Sequence, residues 1–181
     1  MKGMMMEYKF MPRAARLEVE APHQVAGYAS VFGRADKGGD IVMPGAYAAS
    51  LRAMSARGER VRMLWQHDPA APIGIWDEVV EDAHGLFVRG RLLPDVARAR
   101  EAAALLAAGA VDGLSIGYRT RQSEPRAGGG RKLIELDLWE VSLVTFPMQA
   151  EARLQGKSAL VAEIAALRAQ VQAARAGVAQ I

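Results

Sequence analysis

With 181 residues, of which 51% are hydrophobic and 24% charged, the chain is long enough for one sizeable core and too short for two full domains. Its 23 basic and 20 acidic side chains leave a formal charge of +3, and no run of lysine or arginine is dense enough to mark a nucleic-acid surface. Cysteine is absent, which excludes disulfides, thiolate metal sites and a cysteine nucleophile, and suits a reducing cytoplasm.

In chain order, Met1 to Lys9 carries a lysine but no apolar run of secretory length, and nowhere is there a charge-free apolar stretch of membrane-spanning length. The expectation is a soluble protein of the cytoplasm with no membrane partner. Residues 25–32, 61–66, 73–80, 86–93, 114–121 and 133–146 are rich in Val, Ile and aromatics, and several alternate apolar with polar side chains, which predicts strands. Two helices interrupt them. The first follows Pro44-Gly45, with Tyr47, Leu51 and Met54 at helical spacing and Gly58 as its end. The second covers 96–108, with Asp95 placed to cap its amides and Gly109 placed to terminate it. Gly128, Gly129 and Gly130 then join the strand of Ser115 to the strand of Glu140. These elements predict an α+β, mainly β domain, a small antiparallel sheet or barrel with flanking helices.

Composition shifts near Ala150. Beyond it the chain is Ala-rich and lacks aromatics, and Leu160, Ile164, Leu167, Val171, Ala174, Val178 and Ile181 follow a heptad seam. The division expected is a domain over 1–153 and an amphipathic or coiled-coil helix over 154–181. That helix either self-associates or packs back on the sheet.

A serine hydrolase needs a base beside its hydroxyl and a third group that orients the base. The chain has three histidines. His23 and His84 sit in polar turns, and only His67, after the apolar run Val61-Arg62-Met63-Leu64-Trp65, has an apolar flank. Gly113-Leu114-Ser115-Ile116-Gly117 matches G-x-S-x-G, yet no histidine follows Ser115 and the next residues are strand-like, so a nucleophile elbow and a generic esterase are both excluded. Taken alone, a serine between glycines is more often a tight strand position than a nucleophile. Glu140 falls by simple alternation on the face of Leu136 and Leu138, opposite Glu135, Asp137 and Trp139. A carboxylate there requires a partner, either a histidine or an arginine such as Arg62 or Arg91, unless a bulge near Trp139 turns it outward.

Five blocks in order, Gly27-Tyr28-Ala29-Ser30-Val31-Phe32, Asp40-Ile41-Val42-Met43-Pro44-Gly45-Ala46-Tyr47, Leu64-Trp65-Gln66-His67-Asp68, Gly113 to Tyr118, and Glu140-Val141-Ser142-Leu143-Val144-Thr145-Phe146-Pro147, closely resemble the prohead maturation proteases of tailed bacteriophages. The resemblance spans about residues 25–153. It implies a serine endopeptidase that works inside an assembling procapsid in the bacterial host, removing the scaffolding segment of the major capsid protein and finally cutting itself. It also implies a fold similar to the herpesvirus assembly proteases.

Carried over by motif, Ser115 is the nucleophile, His67 the base and Glu140 the third member, with Asp68 as an alternative to Glu140. No metal or cofactor is required. Amides near Ser115 or in the Gly38-Gly39 loop are the options for the oxyanion hole. The partner implied is the capsid protein, and the C-terminal seam is expected to dock on its scaffold segment or to pair two copies. A non-catalytic head-assembly protein of the same fold is the competing reading.

Overall fold

The computed structural model describes residues 7–10 and 23–145. The heptad segment and the boundary at 153/154 lie outside the described residues. In chain order the elements are β1 (Glu7–Phe10), β2 (Gln24–Val31), β3 (Ile41–Val42), α1 (Ala48–Ala56), β4 (Arg62–Trp65), β5 (Asp68–Glu81), β6 (Gly85–Leu92), α2 (Ala97–Ala108), β7 (Gly113–Pro125) and β8 (Arg131–Val144). All described strands join one sheet in the order β1-β7-β8-β4-β5-β6-β2, with β3 on β8. The sheet curls into a half-barrel, so that β2 at one end approaches β7 and β1 at the other. No helix among the described residues is long and apolar enough to cross a membrane.

The mainly β expectation holds, but the sheet is not purely antiparallel. β8 is antiparallel to β7 along one edge, while its other edge is shared. Ile41 and Val42 pair parallel with Lys132 and Leu133, and β4 pairs parallel with Glu140 to Leu143. Between those two stretches α1 takes the place of a strand. Leu136 N–H donates to the Ala46 carbonyl at 2.9 Å, and Leu138 N–H to Ser50 Oγ at 2.9 Å. These bonds satisfy amides that would otherwise be buried without partners.

The helices are terminated from outside as well as from within. α1 has no acid in its first turn, and Glu81 of β5 accepts from the Gly45 and Tyr47 amides instead. At α2 the cap expected at Asp95 is absent, because Val96 holds the N-cap position with no side-chain bond. The chain turns one residue later than expected, through Val96 N–H to the Leu93 carbonyl at 3.0 Å. Gly109 ends α2 as expected, at φ +73°, a conformation glycine adopts without strain.

The core lies inside the curl. Met63, Ile73, Trp76, Leu86, Val88 and Leu92 meet Ile116, Tyr118, Leu138, Val141 and Leu143 there, under Tyr47 of the α1 entrance turn and Leu106 of α2. The Trp76 indole donates to the Val141 carbonyl at 3.1 Å, which ties β5 to β8 behind the paired face of the sheet. At the far tip of the β7–β8 ribbon, Asp40 accepts from the Arg131 amide at 2.7 Å and from its guanidinium at 2.6 Å.

Candidate active site

The β4–β5 connection is the tightest available to antiparallel strands. Trp65 pairs with Asp68, leaving Gln66 and His67 as the two turn residues, at φ +53° and +62°. Positive φ at both centres is the type I′ signature, normally filled by Asn-Gly. A non-glycine residue held there costs on the order of 1–3 kcal/mol. The end of β8 offsets that cost. Gln66 N–H donates to the Leu143 carbonyl at 2.9 Å, its side-chain amide bonds the Thr145 hydroxyl and accepts from the Thr145 amide, and His67 N–H donates to Ser142 Oγ at 3.2 Å.

Register decides which side chains share a face. Ser115 is opposite Ser142 and Gly117 opposite Glu140, so Gly113, Ser115 and Gly117 lie on one face of β7 with Ser142 and Glu140 beside them. G-x-S-x-G therefore acts here as a period-2 pattern that keeps one face of a strand small. The space it leaves at Gly117 is filled: a β-carbon on that residue would overlap the Glu140 carboxyl group.

Glu140 departs from its expected face. Gly117 pairs with Glu140 but Tyr118 pairs with Leu138, so β8 carries an extra residue at Trp139. Because Gly117 and Tyr118 point to opposite sides, the bulge separates Glu140 from Leu138 and sends it to the serine face. Leu136 and Leu138 remain in the core, whereas Glu140 turns away from them and is still buried, at 3% exposure.

His67 meets it there. Nδ1 lies 2.6 Å from Glu140 Oε1, and the Ser142 hydroxyl donates to Oε2 of the same carboxylate. With Nδ1 donating to the carboxylate, the ring nitrogen that carries the lone pair in that tautomer is Nε2. Two bonds compensate Glu140 for a burial that costs several kcal/mol when a carboxylate is unpaired. Neither expected arginine does so: Arg91 pairs with Asp77 at 2.5 Å, and Arg62 is exposed. Asp68 is engaged elsewhere, accepting from the Ala70 amide at 2.8 Å.

Ser115 is fully buried, one strand from the His67–Glu140 pair. His23 and His84 are exposed, and His84 stacks edge-on against Tyr28 at the β5–β6 tip. The Gly38-Gly39 loop packs on Gly130 at the tip of the β7–β8 ribbon. That tip is ten residues along β7 from Ser115, about 33 Å at strand rise, so the loop is no source of oxyanion donors for that hydroxyl. Sequence reasoning missed three members of the cluster: Ser142, Gly117 and Gln66. A serine two residues from a carboxylate that needs a partner was the available signal for the first.

A half-barrel of this kind, with flanking helices, is similar to the solved structure of the bacteriophage T4 capsid assembly protease, gp21. The TM-score is 0.64 at 13% identity, over 78% of this chain and 98% of that one, a likeness of fold. In sequence, the prohead protease of Enterobacteria phage HK97 is 36% identical over 130 residues, 70% of this chain and 56% of that protein, so this chain spans little more than half the relative's length. The family model of the caudovirus prohead serine proteases matches residues 12–166, and this chain belongs to that family.

Proposed function

We propose that this chain is a serine endopeptidase of procapsid maturation, with Ser115 as nucleophile, His67 as general base and Glu140 as the group that orients and stabilises the imidazole. The observation that carries the reading is the 2.6 Å bond between His67 Nδ1 and Glu140 Oε1 on the face of the sheet that also bears Ser115. Ser115 Oγ attacks the scissile carbonyl while Nε2 takes its proton. Glu140 stabilises the imidazolium, which then protonates the leaving amine, and water completes deacylation. Since Ser115 is fully buried, a polypeptide reaches its hydroxyl only as the covering atoms move aside.

The substrate proposed is the scaffolding segment of the major capsid protein, with cleavage of the enzyme itself at the end of assembly inside the procapsid of the host. Family membership supports this reading, and the half-barrel supports an architecture like that of the herpesvirus assembly proteases. The heptad seam from Leu160 to Ile181 supports a separate C-terminal helix that docks on scaffold or pairs two copies. The test is incubation of purified protein with its capsid subunit, beside Ser115→Ala, read by intact-mass spectrometry. Cleavage by the wild type alone is expected. An intact subunit with both proteins from pH 6 to 9 would leave the non-catalytic assembly role standing instead.

A further inference from the structure

The serine face continues past Glu140 into a basic cleft. A cavity of about 440 Å³ opens between α1, β4 and β8, and four arginines line it, Arg57, Arg60, Arg62 and Arg121, against two acids, Glu59 and Asp137. Both acids are already engaged. Arg57 bonds Glu59 at 2.8 Å, and Asp137 takes Arg119 at 3.1 Å together with Arg121 at 2.5 Å. Arg60 and Arg62 are exposed and form no ion pair or side-chain hydrogen bond with a described residue, so the described lining carries four positive charges against two negative ones. The charge is felt locally: the Arg57 guanidinium, with a smaller contribution from Arg62, holds the Glu59 carboxyl below its ordinary range.

Register fixes the cleft relative to the reactive hydroxyl. Arg62 is the cross-strand neighbour of Glu140, two residues along β8 from Ser142, which faces Ser115. Two strand spacings across and two residues along place Arg62 about 12 Å from Ser115, Cα to Cα. An extended polypeptide covers that distance in about three to four residues, and the length of an arginine side chain widens the range by one.

We propose that Arg60 and Arg62 form a subsite for an acidic side chain of the polypeptide substrate, three to five residues from the scissile bond. The proposal rests on the proteolytic reading given above. The guanidinium fork suits a carboxylate, and two such forks at the mouth of a cleft select segments that carry one at that distance.

Two measurements on the full chain decide it, with the wild type beside the double variant Arg60→Gln/Arg62→Gln. Fluorescent oligo-glutamate is titrated against each, with oligo-lysine as the control, at about 0.05 and 0.15 M salt. Weakening by roughly tenfold or more in the variant, for oligo-glutamate alone, is expected. Equal affinity in the two proteins overturns the subsite. Peptides spanning the junction that the wild type cuts are then made with each acidic residue replaced in turn by its amide. One position within five residues of the bond should raise KM about tenfold at nearly constant kcat, an effect that vanishes in the variant. Uniform KM across the series also overturns the subsite. Failure of the wild type to cut any peptide would overturn the proteolytic reading, while oligo-glutamate binding still decides whether the arginines hold carboxylates.

Discussion

Gly117 of β7 and Glu140 of β8 are cross-strand partners, and the carboxyl group of Glu140 occupies the space where a β-carbon of Gly117 would stand. The glycine is the opening through which the carboxylate reaches His67. Gly117→Ala is therefore expected to push Glu140 off the imidazole, lowering kcat at least about 100-fold and costing roughly 1–3 kcal/mol of stability from overpacking. Circular dichroism of the folded variant, followed by steady-state cleavage, checks it. Unchanged kcat would mean that the carboxylate has another route to the ring.

Ser115 and Ser142 face each other across β7 and β8. Ser142 accepts the His67 amide and donates to Glu140, so its hydroxyl is already committed. A fluorophosphonate probe should label the wild type and Ser142→Ala but not Ser115→Ala. Ser115→Ala should lose activity by about 10⁴-fold or more. Ser142→Ala should lose only about 10- to 100-fold, with a stability loss near 1–3 kcal/mol for the partners left buried. Labelling at Ser142 would reverse the assignment.

Glu140→Gln keeps the shape of the side chain but replaces the acceptor that fixes the Nδ1 proton. A fall in kcat of about 10³- to 10⁴-fold with little change in KM is expected. An equal rise in KM would assign Glu140 to substrate binding.

Asp82, in the β5–β6 turn, accepts from the Tyr28 hydroxyl at 2.6 Å and from the His84 and Gly85 amides at 2.7 and 2.9 Å. The Tyr28 bond and then the amides hold its carboxyl below the usual aspartate range. A depressed carboxyl binds its proton less readily when folded than when unfolded. The stability it contributes is thus present above the ordinary aspartate pKa, near 4, and is lost as the pH falls through and below that value. The group is exposed, so the effect is under about 1 kcal/mol. Asp82→Asn should lower Tm by a few degrees at pH 7, and the gap should narrow as the pH falls below about 4. A gap independent of pH would assign the loss to turn geometry alone.

Period-2 alternation made most of the strands legible, and helical spacing with Gly58 and Gly109 made both helices legible. What alternation does not encode is the partner. β4 and β3 lie parallel to β8, a pairing set by the helix that fills the gap between them rather than by any local signal. β1, Glu7–Phe10, is too short and too charged to stand out, and β5 runs through Pro69 and Pro72 because its register with β4 shifts there. At the site, His67 and Glu140 were legible from scarcity and from the cost of burying a carboxylate. The face of Glu140 was legible only as the alternative, a bulge near Trp139, because alternation alone does not say where an extra residue falls. The Gln66-His67 turn was hidden for a related reason: it adopts a conformation that its residue types rarely take, held there by contacts some seventy-five positions away.

β8 is the last of the described strands to leave the ribosome, and it brings Glu140 and Ser142 to a histidine made 73 residues earlier. Until that final strand is in place, a growing polypeptide holds a lone imidazole on an unsupported turn and a hydroxyl with nothing behind it. Synthesis order alone thus defers the meeting of His67 and Glu140 until β8 has been made.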